Sequence, residues 1–216
     1  MRPKTLDHVA LWVADRNAVA ERGVAELGLH VIERTDRFTL IGADARRGKL
    51  TLFEADGPRE SGALLRVGLR VARAVGPREL ELGDGLRVRV VEAPTEVDYD
   101  LDHVALLVAD PEASAARWLE LGLRPASPSE DGAPRVEVGG AYLELHEGDP
   151  GTPERPLLNH IGVLVESVAE HRVDAEARGV EIADLVDAPN TLALFVWGPD
   201  RVKLEYVEHK PTFALV

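Results

Sequence analysis

Three short segments of the sequence each place a histidine at the start of an apolar, strand-like run. They read LDHVALWVAD, LDHVALLVAD and LNHIGVLVES, and their histidines are His8, His103 and His160. Three further segments carry acidic residues at the end of a strand-like pattern and read KLTLFEADG, AYLELHEGDP and RVKLEYVEH. Imidazole and carboxylate groups on strands can bind a transition metal or transfer a proton, so these six segments are where we expect chemistry.

The histidine segments open copies of one repeating unit. The first two agree at nine of ten positions, and a helical stretch follows each copy, at 16–27, 111–121 and 168–178. Asp110 and Pro111 are typical of a helix start, and the glycines of two ELGL segments are typical of a helix end. Two short strands and the acidic strand complete a β-α-β-β-β module of about fifty residues. A shortened copy at 64–94 has little room for a helix, so the order is module, shortened module, module, module.

Composition excludes several classes of function. The chain has 216 residues with 45% hydrophobic residues, enough to bury a core, and it has no cysteine for thiolate ligands, disulfides or a cysteine nucleophile. A formal net charge of −13 argues against nucleic acid as a partner. No apolar run reaches the roughly 20 residues of a membrane span, and the N-terminus lacks a signal-peptide core. We therefore expect a cytoplasmic protein that does not bind membranes.

The DHVALLV and NHIGVLV openings, together with the GPDRVKLEYV ending, resemble the vicinal oxygen chelate superfamily over nearly the whole chain. That superfamily includes glyoxalase I, bleomycin resistance proteins and extradiol dioxygenases. The resemblance implies an α+β fold in which four βαβββ modules, the second shortened, pair into two glyoxalase-like half-barrel domains. The order of the modules predicts one domain over residues 1–95 and another over residues 96–216.

The resemblance also implies a metal site, because the superfamily holds its metal from the first and last strands of paired modules. Carried onto this chain, the ligand positions are His103, Glu144, His160 and Glu205. Imidazoles and carboxylates suit one divalent transition metal (Fe2+, Ni2+, Co2+, Mn2+ or Zn2+) rather than a calcium cage.

The first two modules serve as an internal comparison for this ligand set. There Thr51 aligns with Glu144, Arg66 with His160 and Arg89 with Glu205, which leaves His8 without ligand partners. Two cations beside one histidine would repel a divalent metal. We therefore expect a degenerate, metal-free N-terminal domain and a C-terminal domain that holds the site.

Two reactions on a small molecule with two neighbouring oxygens remain open. A fourth ligand at Glu144 favours glyoxalase-like proton transfer by a lyase, isomerase or epimerase, with Glu205, Glu144 or His146 as the base. Without that ligand, the open positions suit an Fe(II) extradiol dioxygenase, although Phe195 replaces the tyrosine expected there. The proton-transfer enzyme is our first expectation and the dioxygenase the alternative. A drug-binding resistance protein without catalysis is the second alternative, and the sequence leaves a homodimer open.

Overall fold

The computed structural model describes residues 2–44, 47–74, 76 and 78–213. Its helices begin and end where short-range sequence patterns predict. Asp15, Asp110 and Ser167 cap the three α-helices by accepting hydrogen bonds from backbone N–H groups of the first turn. Pro111 occupies the first turn of the second helix, as predicted. The glycines of both ELGL segments, Gly28 and Gly122, have positive φ angles of 73° and 97°, which confirms that they end their helices.

Each full module contains a helix, and the shortened module contains only strands among its described residues. The first module comprises β1 (Thr5–Val13), α1 (Arg16–Leu27), β2 (His30–Arg34), β3 (Phe38–Asp44) and β4 (Arg47–Glu54). The second comprises β5 (Leu64–Val71), β6 (Glu79–Glu81) and β7 (Arg87–Glu92). The third comprises β8 (Asp100–Val108), α2 (Pro111–Glu120), β9 (Arg124–Pro125), β10 (Arg135–Val138) and β11 (Ala141–Glu147). The fourth comprises β12 (Leu158–Leu164), α3 (Val168–Ala177), β13 (Ile182–Asp187), β14 (Thr191–Trp197) and β15 (Lys203–His209).

The modules pair differently from the prediction, which joined the first with the second and the third with the fourth. One eight-stranded sheet has the order β13-β14-β15-β12-β1-β4-β3-β2, and one seven-stranded sheet has the order β6-β7-β5-β8-β11-β10-β9. The first module therefore pairs with the fourth, and the second with the third. The α+β class and the two half-barrels agree with the sequence-based prediction, but a division into residues 1–95 and 96–216 cuts across both sheets.

The near-identity of the opening strands explains why this pairing could not be read from the sequence. In both sheets the junction is an antiparallel pair of opening strands, β1 with β12 and β5 with β8. Such a junction consists of backbone hydrogen bonds, which any of the four similar openings can supply. Local pattern therefore predicts that opening strands pair, and it does not say which ones.

One hydrophobic core runs through both half-barrels. It contains buried residues from each sheet, among them Leu50, Leu69, Leu106 and Tyr206. The hydroxyl of Tyr206, on β15, donates a 2.7 Å hydrogen bond to the carbonyl of Leu121, which follows α2 of the other sheet. The two sheets are thus joined through buried side chains. Within the described residues, no helix combines the length and the hydrophobicity that crossing a membrane requires.

Candidate metal centre

Two imidazoles and a carboxylate converge on the concave face of the eight-stranded sheet. Nε2 of His8 and Nε2 of His160 are 3.0 Å apart. Oε2 of Glu205 lies 2.9 Å from the first of these nitrogens and 2.8 Å from the second. His160 and Glu205 are each only 6% exposed, so water competes little for these atoms. We call these three residues the triad.

Strand register brings the triad together. His8 on β1 lies opposite Gly162 on β12, and Gly162 in turn lies opposite Glu205 on β15. His160 lies two residues before Gly162 and shares a face with it. A Cβ atom at Gly162 would come within 2.9 Å of Nε2 of His8 and still closer to its ring carbon Cε1. Glycine is therefore required here, because the imidazole of His8 lies directly over the backbone.

A buried carboxylate orients the first imidazole of the triad. Asp7, 1% exposed, lies 2.7 Å from Nδ1 of His8. Its oxygens also contact Nζ of Lys49 at 3.0 and 3.1 Å and Nε2 of His209 at 3.1 Å. Because an ionised carboxylate only accepts hydrogen bonds, Nδ1 of His8 carries the proton. Nε2 is then the nitrogen that can bind a metal.

The second imidazole is oriented in the same manner by a neutral group. Oδ1 of Asn159 lies 3.1 Å from Nδ1 of His160, which donates to it. The lone pair of Nε2 is thereby directed toward the triad centre. Both histidines thus have their outer nitrogen occupied by the residue that precedes them in sequence.

The charges of the triad shift the pKa values of its members in opposite directions. Burial disfavours the charged form of His8, but the charge of Glu205 and the hydrogen bond to Asp7 outweigh it and raise the pKa to about 9. Burial would raise the pKa of Glu205, but the charges of His8 and His160 lower it to about 2. Burial lowers the pKa of His160. Near neutral pH the three facing atoms of the metal-free triad thus share one proton, on Nε2 of His8, beside the ionised carboxylate of Glu205.

The donor atoms fit a metal of octahedral preference. Ligands about 2.1 Å from a metal lie about 3.0 Å apart on an octahedral edge and about 3.4 Å apart on a tetrahedral edge. The three distances of 2.8–3.0 Å are compatible with the octahedral edge, and they are also ordinary hydrogen-bond distances. Oε2 of Glu205 is buried and faces the Nε2 atoms of both histidines, but neither contact is well aligned as a hydrogen bond. A metal would satisfy this atom, and two histidines with one carboxylate form the facial arrangement of non-haem iron sites.

The place of a fourth ligand on this face belongs to a threonine. Thr51 on β4 lies opposite Ala10 of β1, and Glu144 on β11 lies opposite Ala105 of β8. The two registers make Thr51 and Glu144 equivalent, as their sequence alignment predicted. The triad therefore offers three candidate donor groups, and Thr51 occupies the strand position that is equivalent to Glu144.

A cavity of about 320 Å³ opens beside the triad. His8 and Glu205 form part of its wall, together with Thr51 and the buried Lys49. The remaining wall is partly apolar and includes Phe38, Leu40, Val207 and Phe213. The volume suits a small molecule of one ring with substituents.

The other two predicted ligands lie in the seven-stranded sheet, which corrects the predicted four-ligand site. There the guanidinium of Arg66 donates a 2.8 Å hydrogen bond to the carboxylate of Glu144 and a 3.2 Å hydrogen bond to Nε2 of His103. Nδ1 of His103 donates to Asp102 at 2.8 Å. The arginine uses the lone pair and the charge that a metal would need. His103 and Glu144 are thus separated from His160 and Glu205 because the modules pair differently.

The remaining predicted residues also lie in this second sheet. Nε2 of His146 is 3.6 Å from Glu144, and Nδ1 is 3.9 Å from Asp131. This histidine therefore lies in the other sheet, and its neighbours are not members of the triad. Arg89 lies opposite Gly68, as Glu205 lies opposite Gly162. Its side chain is 42% exposed and only 3.9 Å from Glu79. His146 and Glu144 therefore have no contact with the triad through which to act as its base.

The sequence did contain a signal for the residues that we missed. The decamers of the first and third modules both carry an Asp-His pair, Asp7-His8 and Asp102-His103, and in both the aspartate orients the histidine. His8 was excluded only because its partners were assigned to the wrong module. Lys49 and His209 carried no recognisable pattern, since both contact Asp7 across strands.

Comparison with known proteins supports the fold rather than a reaction. No family model and no curated protein matches the sequence. A Bacillus subtilis protein provisionally described as a dioxygenase aligns at 16% identity over 99% of this chain and 87% of its own, with a TM-score of 0.78. Glyoxalase I from Zea mays aligns at 13% identity over 94% of this chain and 92% of its own, with a TM-score of 0.68. The cppA protein of Streptococcus pneumoniae aligns at 14% identity over 96% and 98%, with a TM-score of 0.57. The chain thus has the fold of the vicinal oxygen chelate proteins.

Proposed function

We propose that this protein is a metal-dependent enzyme of the vicinal oxygen chelate type. One divalent transition metal is held by His8, His160 and Glu205, and the cavity beside it takes a small molecule with two neighbouring oxygens. The observation that carries the proposal is the convergence of two imidazole nitrogens and one buried carboxylate oxygen at mutual distances of 2.8–3.0 Å.

The number of protein ligands favours ring-cleaving dioxygenation of a catecholic substrate. Three protein ligands would leave a six-coordinate metal more open than four would, as ring cleavage of a bidentate substrate requires. When bound, the metal would supply Lewis acidity toward the substrate oxygens and, as Fe(II), reactivity toward O2. This choice reverses our sequence-based preference, because that preference depended on Glu144 as a fourth ligand.

The residues of the cavity match the needs of such a substrate. Phe38, Leu40 and Val207 offer apolar surface on which an aromatic ring can pack. The ring of His209 is held by stacking on Phe213, with centroids 3.8 Å apart and an angle of 3° between planes. His209 lines the cavity and is within 3.1 Å of Asp7, so it is our candidate for moving a substrate proton.

Glyoxalase-like proton transfer is the second candidate, and the observation in its favour is Thr51. Thr51 occupies the strand position equivalent to Glu144 and lines the same cavity. An additional oxygen ligand there would reduce the open positions to two, as proton transfer on an enediolate-type substrate requires. Glu205 would then be the base, since it is the carboxylate of the triad.

The first experiment measures metal content in matched variants. Purified protein from metal-supplemented medium should contain about one divalent transition metal per chain by elemental analysis. His8→Ala and His160→Ala should each lose it, because two ligands bind far more weakly than three. His103→Ala is the matched control: its histidine has the same strand position but is bonded to Arg66, so its metal content should stay at one. Wild-type protein that contains no metal would refute the proposal of a metal-dependent enzyme and favour a binding protein.

The second experiment separates the two reactions. Protein loaded anaerobically with Fe(II) is mixed with catechols, and O2 uptake and the colour of ring-fission products are recorded. The Ni, Co, Mn and Zn forms are tested for exchange of the acidic proton in hemithioacetals. Oxygen uptake is expected; proton exchange without oxygen uptake would replace the first candidate by the second. Thr51→Val should leave oxygen uptake in place but impair proton exchange.

A further inference from the structure

A second cavity lies on the same face of the eight-stranded sheet, on the opposite side of the triad from the first cavity. Its volume is about 270 Å³, and we call it the cationic cavity. Four cations and two aromatic rings line it: Arg59, Arg155, Arg201, Lys203, Trp12 and Trp197. Its lining contains one acidic residue, Glu154. Such a concentration of positive charge is unusual in a chain with 38 acidic and 25 basic residues.

The strands of the triad continue into the cationic cavity. On β15, Lys203 is two residues before Glu205 and points to the same face, about 7 Å away along the strand. On β12, Asn159 lines the cavity and also binds Nδ1 of His160. On β1, Trp12 lies four residues beyond His8 on the same face. The cavity thus begins where the triad ends.

The cations are positioned but not fully neutralised. Arg59, with its side chain 12% exposed, binds Asp56 at 2.8 Å through one Nη atom, and Arg155 contacts the same carboxylate. The Nε–H of Arg59 is buried and has no hydrogen-bond partner. One carboxylate therefore faces two guanidinium groups, and one buried donor remains unused.

Two further cations are held over an indole ring at the other wall. The guanidinium of Arg201 lies 4.0 Å and the ammonium of Lys203 5.1 Å from the ring centroid of Trp197. Arg201 also binds Glu181 at 3.1 Å, whereas Lys203 has no carboxylate within ion-pair distance among the described residues. An anion entering here would meet a preorganised ammonium and a preorganised guanidinium donor.

We propose that the cationic cavity binds an anionic group, a carboxylate or a phosphate, carried by the substrate of the triad. The substrate class is then a small anion whose two neighbouring oxygens and whose acidic group are separated by about 7 Å, the span from Glu205 to Lys203. The anion site stands on its own contacts; the assignment of its occupant as substrate rests on the proposed function.

Tryptophan fluorescence tests the anion site without any metal. Two of the three tryptophans, Trp12 and Trp197, line the cavity, and Trp118 is fully buried elsewhere. EDTA-treated protein is titrated with inorganic phosphate and separately with acetate at constant ionic strength. We expect a saturable change in emission, and the tighter anion identifies the chemistry of the group.

Matched variants then locate the binding. Lys203→Met and Arg59→Met should each weaken the affinity on the order of tenfold, since each removes a charged donor. Arg87→Met removes an exposed arginine from the other sheet and should have no effect. A change that does not saturate, or that is equal in all three variants, would reflect nonspecific anion effects and overturn the anion site.

Substrate preference tests the occupant. The Co(II) form is titrated with catechol and with 3-(2,3-dihydroxyphenyl)propanoate, whose acidic chain leaves the ring beside its two oxygens and can extend past the triad, and binding is followed in the visible spectrum. The carboxylated ligand should bind about tenfold more tightly than catechol. Lys203→Met should remove that preference without lowering the affinity for catechol. Equal affinities in the wild type would refute the substrate class. Anion binding in a protein that takes up no metal would keep the site and refute the proposed function.

Discussion

Replacement of Gly162 by alanine should destroy the metal site through a single methyl group. An added Cβ would lie 2.5 Å from Nδ1 and 2.9 Å from Nε2 of His8, whereas ordinary van der Waals contact begins near 3.4 Å. Because Gly162 is in the middle of β12, paired on both sides, the backbone has little freedom to withdraw. The ring of His8 must therefore move by roughly 1 Å.

The magnitude follows from the tolerance of metal coordination. Ligand distances in metal sites vary by only about 0.2 Å, so a displacement of roughly 1 Å effectively removes one of three ligands. Loss of an outer-shell partner typically costs 10–100-fold in metal affinity, so we expect the loss of a ligand to cost at least about 100-fold. The strained packing should also lower the free energy of unfolding by about 1–3 kcal/mol.

The other sheet provides a matched control. A Cβ atom at Gly68 would come within 2.8 Å of Cγ of His103, and closer to two other ring atoms, so Gly68→Ala imposes the same overpacking. Urea unfolding with EDTA should show a similar loss of stability in both variants, while competition with a chromophoric chelator should show weakened metal binding only in Gly162→Ala. Equal metal affinities in the two variants would refute the assignment of His8 as a ligand.

Three further predictions concern the surroundings of the triad. The pKa of His8, raised to about 9 from 6.5, means that its protonated ring stabilises the metal-free protein fully below about pH 6.5 and loses this effect as pH rises through 9; urea unfolding with EDTA from pH 6 to 10 measures it. Lys49→Met removes the ammonium group from the buried carboxylate of Asp7, which keeps His8 and His209 as partners, and should cost about 1–3 kcal/mol in urea unfolding, partly recovered by adding Asp7→Asn. Tyr206→Phe leaves the Leu121 carbonyl unsatisfied and should cost about 1–2 kcal/mol, with metal content unchanged.

The parts of the fold that follow from local sequence were predicted well. The cap at Asp110, the helix ends at Gly28 and Gly122 and the absence of a helix from the described part of the second module all follow from neighbouring residues. Module pairing does not, because it is decided by contacts between strands far apart in sequence. Similar opening strands make several pairings equally compatible with the pattern.

The candidate site shows how one such error propagates. The internal alignment was sound, since register makes Thr51 equivalent to Glu144 and Arg89 equivalent to Glu205. Combining the third module with the fourth then suggested four ligands around one metal, and combining the first with the second placed arginine beside His8. In the observed pairing these partners are exchanged. Arg66 contacts His103, and His8 contacts His160 and Glu205 of the fourth module.

The two half-barrels meet the same electrostatic demand in different ways. A carboxylate buried beside histidine needs positive charge, because burial of an unpaired anion is costly. In the seven-stranded sheet the guanidinium of Arg66 supplies that charge to Glu144 permanently, at 2.8 Å. In the eight-stranded sheet Glu205 has only imidazoles, and the positive charge comes from a proton on His8, which is removable. A metal can replace that proton but cannot replace an arginine side chain, and this difference is why, among the described residues, we assign the proposed metal to the eight-stranded sheet.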